Sequence, residues 1–484
     1  IIETFFKFKN INLLKRDLKK IEGFYAFVAS KKNFKLAAVD RVRSFPILYN
    51  KKNIFYFGKK IQNLKLKKNI IDRHALHFFL LSGYTPNEFT LNKNLKQMEA
   101  GDLIIFKGKE KIKTNLIDQN YIIKKKSPTK LFNEFDNILN KIFIRMKKNF
   151  SNKQIILSLS GGYDSRIILS KMIENKISNF ILITYGAKNN YDSIIAKQIT
   201  DKLKKELIQI HLKKSFIRKN FYKRERKLFW KYSHNFTSLP NMQEYMAVKY
   251  LKSKNLIKKN SVFINGQTGD FISGEHLSKS NKIPKIINKI IDKHFNLSGF
   301  EKINPKIIDK IKDTILKNFK KNKINKNIKM NEYFWEWKER QSKYVVNQQR
   351  TYEYFGYTWY LPLWEKEITN FFTSIPSSLL VNQKFYKYYL EKYNYKNLFD
   401  AKYNKKNYTN WIGITKFLIL PAQIIGLIFG KKYKNLFYNF FKYFDKYSYH
   451  YQIFTYLTFL KNLKRIRNSN SLFMEKFKEE NFKL

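Results

Sequence analysis

The feature that most constrains the fold is an alternation of short apolar strands and helices between residues 154 and 264. Helical spacing of apolar residues at 193–204 and 242–252 separates runs that are continuously apolar. Such runs predict strands buried on both faces of a parallel sheet, and they cover residues 154–159, 180–184, 207–211 and 261–264. The alternation therefore predicts an open α/β fold.

The regions before and after this alternation of strands and helices have different patterns of apolar residues. Residues 1–123 contain short apolar runs between turn residues, which predict antiparallel strands, with a helix at 73–82. From about residue 284 onward the chain is predicted to be mostly helical. We therefore divide the sequence into a β-rich domain (1–123), an α/β domain with a helical C-terminal part (130–410) and a helical, aromatic, Lys-rich extension (411–484).

The amino-acid composition of the chain limits the classes of function that we consider. The 484 residues are 43% hydrophobic, enough for a sizeable core. The formal net charge of +59 comes from lysines spread along the whole chain together with many Ile, Asn, Phe and Tyr. AT-rich coding DNA produces such a mixture, so we expect no specific nucleic-acid partner. The absence of cysteine excludes disulfides, thiolate zinc sites and a cysteine nucleophile within this sequence, and we expect a cytoplasmic protein.

One segment is a candidate for membrane contact. Residues 417–430 are apolar but fall short of the roughly 20 residues that a spanning helix needs, and Pro421 interrupts them. They predict either a buried core helix or a helix that lies on a membrane surface, helped by Lys431, Lys432 and Lys434. Both interpretations stay open at the level of sequence.

The strongest chemical signal follows the strand at 154–159. A Ser-Gly-Gly turn leads into Asp164 and Ser165 and then into an apolar helix. Two glycines allow backbone N–H groups to approach a phosphate closely, and a helix N-terminus favours negative charge. A carboxylate at Asp164 fits such a loop if it binds Mg²⁺ that bridges phosphate oxygens. The segment predicts a site for the phosphates of ATP.

A second polar segment follows the strand at 261–264 and ends in Gly269 and Asp270. Because the carboxyl ends of parallel strands meet at one edge of the sheet, we expect it to lie beside the first segment. Asp270 is the candidate for a second Mg²⁺ ligand.

These segments resemble a known family. Residues 160–165 resemble the pyrophosphate loop of the asparagine synthetase family, a class of glutamine-dependent amidotransferases. Other segments are similar to that family in the same order along the chain, at residues 22–27, 40–49, 81–91, 100–102, 362–365 and 375–376. The resemblance covers about residues 1–410 and does not clearly extend to 411–484.

The resemblance implies a two-site enzyme. The first domain would have an Ntn-hydrolase fold, as in class II glutaminases, and would release ammonia from glutamine with an N-terminal cysteine. The second, an ATP pyrophosphatase domain, would use ATP and Mg²⁺ to adenylate a carboxylate, with aspartate as the default acceptor. Ammonia would then attack the acyl-adenylate and give the amide and AMP.

The resemblance also implies roles for individual residues. Asp164 and Asp270 would hold Mg²⁺, and Lys405 would stabilise charge near the leaving phosphates. The positions that would contact ATP are Leu159, Ser160, Gly161, Gly162, Asp164, Ser165, Tyr185, Gly186, Asn265 and Gly266.

Three departures from the family pattern limit what is implied. Ile1 falls where the family's first domain is already well advanced, so we expect a truncated sequence or ammonia supplied from elsewhere, and glutaminase activity is in doubt. Gln267, the other candidate catalytic position, stands where the family has a Glu that accepts a proton, which a neutral amide cannot do. Phe271 replaces an acidic residue.

Several functions therefore stay open. The acceptor could be aspartate, a sugar acid of a surface-polysaccharide pathway or a peptide side chain, in each case with ammonia as the second substrate. A tRNA-modifying enzyme with the same ATP loop and a non-catalytic paralogue are the alternatives from other classes. A homodimer and a peripheral membrane contact are the other partners that we consider.

Overall fold

The computed structural model describes residues 2–3, 10–65, 67–118, 122–298, 303–321, 327–403, 417–444 and 450–482. Within these residues two antiparallel sheets precede a five-stranded parallel sheet. Helices cover both faces of the parallel sheet. The α/β class that the sequence predicts is thus confirmed, whereas the domain boundaries stay predictions.

The antiparallel sheets lie in the N-terminal part of the chain. One has the order β1-β2-β6-β7 and the other the order β4-β3-β5. Their strands are Ala26–Lys31 (β1), Phe34–Val39 (β2), Ile47–Asn50 (β3), Phe55–Phe57 (β4), Leu95–Gln97 (β5), Asp102–Lys107 (β6) and Glu110–Asn115 (β7). The helices of this part are Ile11–Leu18 (α1), Lys59–Gln62 (α2) and Arg73–Ser82 (α3).

Alternation along β2 and β6 explains why this part forms stacked layers. Successive side chains of a strand point to opposite faces of the sheet. Leu36 and Leu103 are buried in one cluster with residues of α1. Ala37 and Ile104 are buried in another, together with Tyr49 of the three-stranded sheet. The result is a helix layer on a four-stranded sheet that packs on a three-stranded sheet.

The parallel sheet has the strand order β10-β9-β8-β11-β12. From β8 the chain winds outward to β9 and β10, and then returns to β11 on the other side of β8, so the winding direction reverses between β8 and β11. Such a switch point forms the ligand crevice of open α/β sheets, at the carboxyl ends of the strands. The strands are Ile155–Ser158 (β8), Phe180–Gly186 (β9), Leu207–His211 (β10), Val262–Ile264 (β11) and Thr358–Tyr360 (β12).

The central strand β8 is buried on both faces, as its uninterrupted apolar sequence predicts. Ile155 and Leu157 belong to a core shared with α4, α5 and α6, whereas Ile156 belongs to a core shared with α7, α8 and α9. These helices and the short one that follows β11 are Pro128–Asn149 (α4), Tyr163–Glu174 (α5), Tyr191–Lys202 (α6), Lys214–Phe221 (α7), Arg224–Ser233 (α8), Tyr245–Ser253 (α9) and Gly269–Ile272 (α10).

The region after residue 280 is mostly helical, as predicted, but it also contains β12. This strand pairs in parallel with β11 and extends the sheet at that edge. A π-helical stretch spans Trp337–Val345 and continues into a 3₁₀ turn at Val346–Gln349. The α-helices are Ile283–His294 (α11), Pro305–Lys321 (α12), Ile328–Glu336 (α13), Arg350–Tyr354 (α14), Lys366–Ser374 (α15), Ser377–Leu380 (α16) and Lys384–Lys392 (α17).

The described part of the C-terminal extension contains four α-helices. The last of them returns to the α/β core, where Phe477 packs on Trp230 of α8 with ring centroids 5.5 Å apart. Through the described ranges, we find no helix that is both long and apolar enough to cross a bilayer. The four helices are Ile419–Phe429 (α18), Lys431–Lys442 (α19), Tyr456–Lys461 (α20) and Ser469–Asn481 (α21).

Backbone hydrogen bonds join the segment after α3 to the segment after α8. The N–H of Thr85 donates to the carbonyl of Thr237 at 2.9 Å, and the N–H of Leu91 donates to that of Phe236 at 2.8 Å. His234 supports this junction, because its Nδ1 accepts the N–H of Phe236 at 2.9 Å. Burial, with a smaller contribution from the charge of Lys231, lowers the pKa of His234 to about 4.

We predict that His234 makes the protein less stable in mild acid. The unfolded chain binds a proton near the ordinary histidine pKa of about 6.5, whereas the folded chain does so only near 4. The free energy of unfolding should therefore fall as the pH drops from 7 to 4, by roughly 3 kcal/mol from this residue. His234→Asn keeps an acceptor near Nδ1 and removes the titration. Urea unfolding across this range should show a shallower pH dependence in the variant; parallel curves would contradict the assignment.

A second prediction concerns the buried ion pair between α8 and α21. Arg226 is fully buried and bonds both oxygens of Glu480, at 2.5 and 2.8 Å. Glu480→Gln leaves the guanidinium without a countercharge and should cost about 3 kcal/mol in the free energy of unfolding. Glu479→Gln on the same helix breaks only an exposed pair with Lys476 and should cost less than about 0.5 kcal/mol. Similar losses in the two variants, measured by urea denaturation, would refute this role.

Candidate functional site

The two predicted polar segments meet at the switch point of the parallel sheet. Strands β8 and β11 are neighbours, with Ile155 opposite Val262 and Leu157 opposite Ile264. We call residues 159–165, which follow β8, the first loop, and residues 265–270, which follow β11, the second loop. Both therefore leave the sheet at its carboxyl edge, where open α/β folds bind ligands.

The first loop is a compact turn closed by its own serines. The N–H of Ser160 donates to Oγ of Ser165 at 3.1 Å, and the N–H of Gly162 donates to Oγ of Ser160 at 3.1 Å. Oγ of Ser165 in turn donates to the carbonyl of Ser160 at 3.1 Å. The two hydroxyls that the sequence suggested as phosphate donors thus also shape the loop that precedes α5.

Two residues that the sequence analysis did not single out hold the first loop from outside. Arg166 is buried and donates to the carbonyls of Gly161 and Gly162, at 3.2 and 3.3 Å, and to that of Leu398 at 2.8 Å. The carboxylate of Asp192, at the start of α6, accepts the N–H of Gly161 at 2.8 Å. Arg166 and Asp192 thus fix the backbone of the first loop at its two glycines.

Asp164 connects the two loops. Its Oδ2 accepts the N–H of Asp270 at 3.0 Å, and its Oδ1 accepts the hydroxyl of Tyr386 at 3.2 Å. The approach is close enough to require glycine: a Cβ on Gly269 would lie 2.5 Å from Oδ1 of Asp164, and one on Gly266 would lie 2.5 Å from its Cβ. The structure thus brings together the two carboxylates that were predicted to bind Mg²⁺.

The electrostatics of the two carboxylates differ. Burial and the charge of Asp270 raise the pKa of Asp164. Burial acts in the same direction on Asp270, but the hydrogen bond and charge of His276 outweigh it and lower the pKa of Asp270. Among the described residues there is no group of three or more His, Cys, Asp or Glu side chains that could hold a metal ion.

A chain of buried polar groups extends from Asp270, and sequence reasoning missed it. Nε2 of His276 lies 3.4 Å from Oδ2 of Asp270, and Nδ1 of His276 bonds Glu336. Glu336 is itself buried and accepts the side-chain amide of Gln341 at 3.0 Å. Burial opposes its ionisation, but the charges of His276 and His294 hold the pKa of Glu336 well below its usual value. This chain fixes the orientation of Asp270.

A cleft of about 230 Å³ adjoins the first loop. Leu159 and Ser160 line it together with Tyr185 and Gly186 from the end of β9, and all four are among the positions predicted to contact ATP. Asn265 does not line this cleft; it is buried in a hydrogen-bonded cluster, where its Nδ2 lies 3.2 Å from Oε1 of Gln349. Four of the predicted nucleotide positions therefore share one cleft.

The remaining predicted positions have different surroundings. Gln267 donates to Oε1 of Gln348 at 2.6 Å and accepts from Nε2 of Gln349 at 2.6 Å, so both ends of its amide are engaged. Phe271 is buried and stacks on Tyr333, with ring centroids 4.8 Å apart. Lys405 lies outside the described residues.

Comparison with known proteins gives one distant relative. No family model matches the chain. A protein of Methanocaldococcus jannaschii named "putative asparagine synthetase (glutamine-hydrolyzing) 2" is 25% identical over 297 residues, which cover 56% of this chain and 55% of that protein. The chain thus spans about half the length of the relative that it matches. The similarity indicates a loose relationship to asparagine synthetases.

The contact between Asp164 and the second loop generates a prediction about glycine. Gly269→Ala places a Cβ against the carboxylate and should lower the free energy of unfolding by roughly 2 to 3 kcal/mol. Gly162→Ala is the matched control, since Gly162 has a φ of −80° and its Cβ would meet only Oγ of Ser160 at 3.3 Å. We expect the control to stay within about 1 kcal/mol of the wild type in urea denaturation. A tolerated Gly269→Ala would mean that the loops need not approach so closely.

Proposed function

We propose that the chain is an ATP-dependent, amide-forming ligase that activates a carboxylate by adenylation. The observation that carries this proposal is the hydrogen bond between Asp164 of the first loop and the backbone of Asp270 in the second, at the switch point of a parallel sheet. The distant similarity to an asparagine synthetase supports the same class of reaction. Neither a phosphate loop nor a pair of carboxylates alone would favour adenylation over other uses of ATP.

The proposal gives the residues distinct roles. The first loop would hold the phosphates of ATP, while Tyr185, Gly186, Asn265 and Gly266 would lie near the adenosine. Asp164 and Asp270 would hold Mg²⁺, which, when bound, offsets the negative charge that the two carboxylates and the phosphates bring together. Arg166 and Asp192 would keep the loop in shape, and Lys405 would stabilise charge on the leaving pyrophosphate.

The reaction would take place in two steps. In the first, an oxygen of the acceptor carboxylate attacks the α-phosphorus of ATP, the bond to the β-phosphate oxygen breaks, and pyrophosphate leaves. In the second, ammonia attacks the acyl carbon, loses a proton, and AMP leaves with the bonding electron pair. The described residues would contribute by positioning the reactants and by excluding water, which are large terms in reactions between bound partners.

The acceptor is the least constrained part of the proposal. Aspartate is the starting candidate, and a sugar acid or a peptide side chain is the alternative. The amide of Gln267 is bonded at both ends to Gln348 and Gln349, so we assign it a structural contribution to the acceptor side of the site and not proton transfer. The stacked N-terminal layers would correspond to part of an Ntn-type glutaminase domain, with ammonia reaching the site from glutamine or from another protein.

We predict that the protein catalyses isotope exchange between pyrophosphate and ATP when Mg²⁺ and the correct carboxylate are present. Asp164→Asn should lower the exchange rate roughly 100-fold or more, because losing a metal ligand removes several kcal/mol of charge stabilisation. Aspartate, uronic acids and acidic peptides would be tested as acceptors. Asp201→Asn, an exposed aspartate on α6, is the matched control and should exchange at the wild-type rate.

The outcomes separate the classes of function. Exchange that survives Asp164→Asn unchanged rejects the metal role. Exchange that requires tRNA in place of a small carboxylate would support a tRNA-modifying enzyme. ATP binding without exchange in any mixture would support a non-catalytic paralogue.

A further inference from the structure

Helix α18 exposes its large apolar side chains to solvent. Phe417, just before the helix, is 80% exposed, and Leu420, Ile424, Leu427 and Ile428 are 66%, 47%, 86% and 67% exposed. Their spacing of three and four residues places them on one face of the helix. Scattered single apolar residues are ordinary on a protein surface, but a continuous stripe marks an interaction site.

The opposite face of α18 carries small residues. Ala422 is fully buried, and a Cβ on Gly426 would lie 2.8 Å from Cδ of Lys434, a residue of α19. A surface helix of a globular protein usually turns its large apolar residues inward and its polar residues outward. Helix α18 does the reverse, so its outer face is built to meet an apolar environment.

Helix α19 attaches α18 to the rest of the protein. Gly430, with a φ of +87°, makes the sharp turn between α18 and α19. The side-chain amide of Asn439 donates to the carbonyl of Ile466 at 2.8 Å, and the hydroxyl of Tyr443 donates to that of Phe454 at 2.9 Å. Because buried hydrogen bonds fix the C-terminal end of α19, the position of α18 relative to the rest of the protein is restrained as well.

We propose that the outer face of α18 binds the surface of an anionic lipid bilayer. The 11-residue helix carries no charged residue and is too short to span a membrane, which needs roughly 20 residues. Lys431, the first residue of α19, is exposed beside the C-terminal end of α18. A helix that lies in the interface buries its apolar face while nearby lysines attract anionic headgroups.

Charge favours lipid over a second copy of the chain. Two copies that each carry a formal charge of +59 repel each other, and an apolar stripe of this size must overcome that repulsion. An anionic bilayer offers an apolar interior and a negative surface at the same place. The apolar side chains of the α18 face and the exposed Lys431 at its C-terminal end are then both satisfied by one partner.

The first test uses flotation of the full chain with vesicles of phosphatidylcholine and phosphatidylglycerol. Because the net charge alone attracts the protein to such vesicles, the informative comparison is between variants of equal charge. Leu427→Gln combined with Ile428→Gln should lower the partition coefficient about tenfold or more. Ile144→Gln, which removes an exposed apolar side chain from α4 (59% exposed), should leave it unchanged. Equal binding of wild type and the double variant would overturn the proposal.

A second measurement locates the contact directly. The chain has no cysteine, so Leu427→Cys and Ile144→Cys each accept a single environment-sensitive fluorophore. Addition of the same vesicles should shift the emission of the label at position 427 to the blue and leave that at 144 unchanged. Absence of a shift at 427 overturns the proposal, as does a dimer in light scattering that the Leu427→Gln and Ile428→Gln changes dissociate. Neither experiment depends on enzymatic activity.

Discussion

The carboxylate of Asp164 is the point on which the candidate site depends. It accepts hydrogen bonds from the backbone of the second loop and from Tyr386 on α17, so segments that are far apart in the sequence meet at one side chain. Its neighbour Asp270 is held ionised by His276, against the effect of burial. Burial and the charge of Asp270 raise the pKa of Asp164. The negative charge of the pair therefore lies mainly on Asp270, and a cation bound at this switch point would favour ionisation of Asp164 as well.

The close approach of the two loops explains which residue types surround Asp164. Gly266 and Gly269 cannot carry a Cβ without meeting Asp164. Phe271, one residue past Asp270, turns away from the carboxylates and stacks on Tyr333 in the core. Phe271, which replaces an acidic residue of the asparagine synthetase pattern, thus packs in the core and does not disturb the contact between the two loops.

Sequence reasoning predicted those parts of the site that depend on neighbours in the chain. The apolar run of β8, the glycine turn and the start of α5 follow from local pattern, and the placement of the second loop follows from the rule for parallel strands. By contrast, β12 has only three residues and forms through its pairing with β11. Glu336 reaches Asp270 through His276, a contact set by tertiary packing that no spacing rule predicts. Arg166 was within reach of prediction, since it directly follows the loop that it holds and bonds the carbonyl four residues before it.

Helix α18 of the C-terminal extension is a second case in which the sequence alone does not decide the structure. The apolar character of residues 417–430 is plain in the sequence, but a buried core helix and a surface-lying helix can have the same composition. What separates them is which face of the helix is covered, and here Ala422 is buried whereas Leu427 is 86% exposed. A small residue at the covered position 426 lets Lys434 of α19 approach closely, so packing against α19 contributes to the orientation of α18. The large apolar residues are therefore exposed because the fold holds them outward.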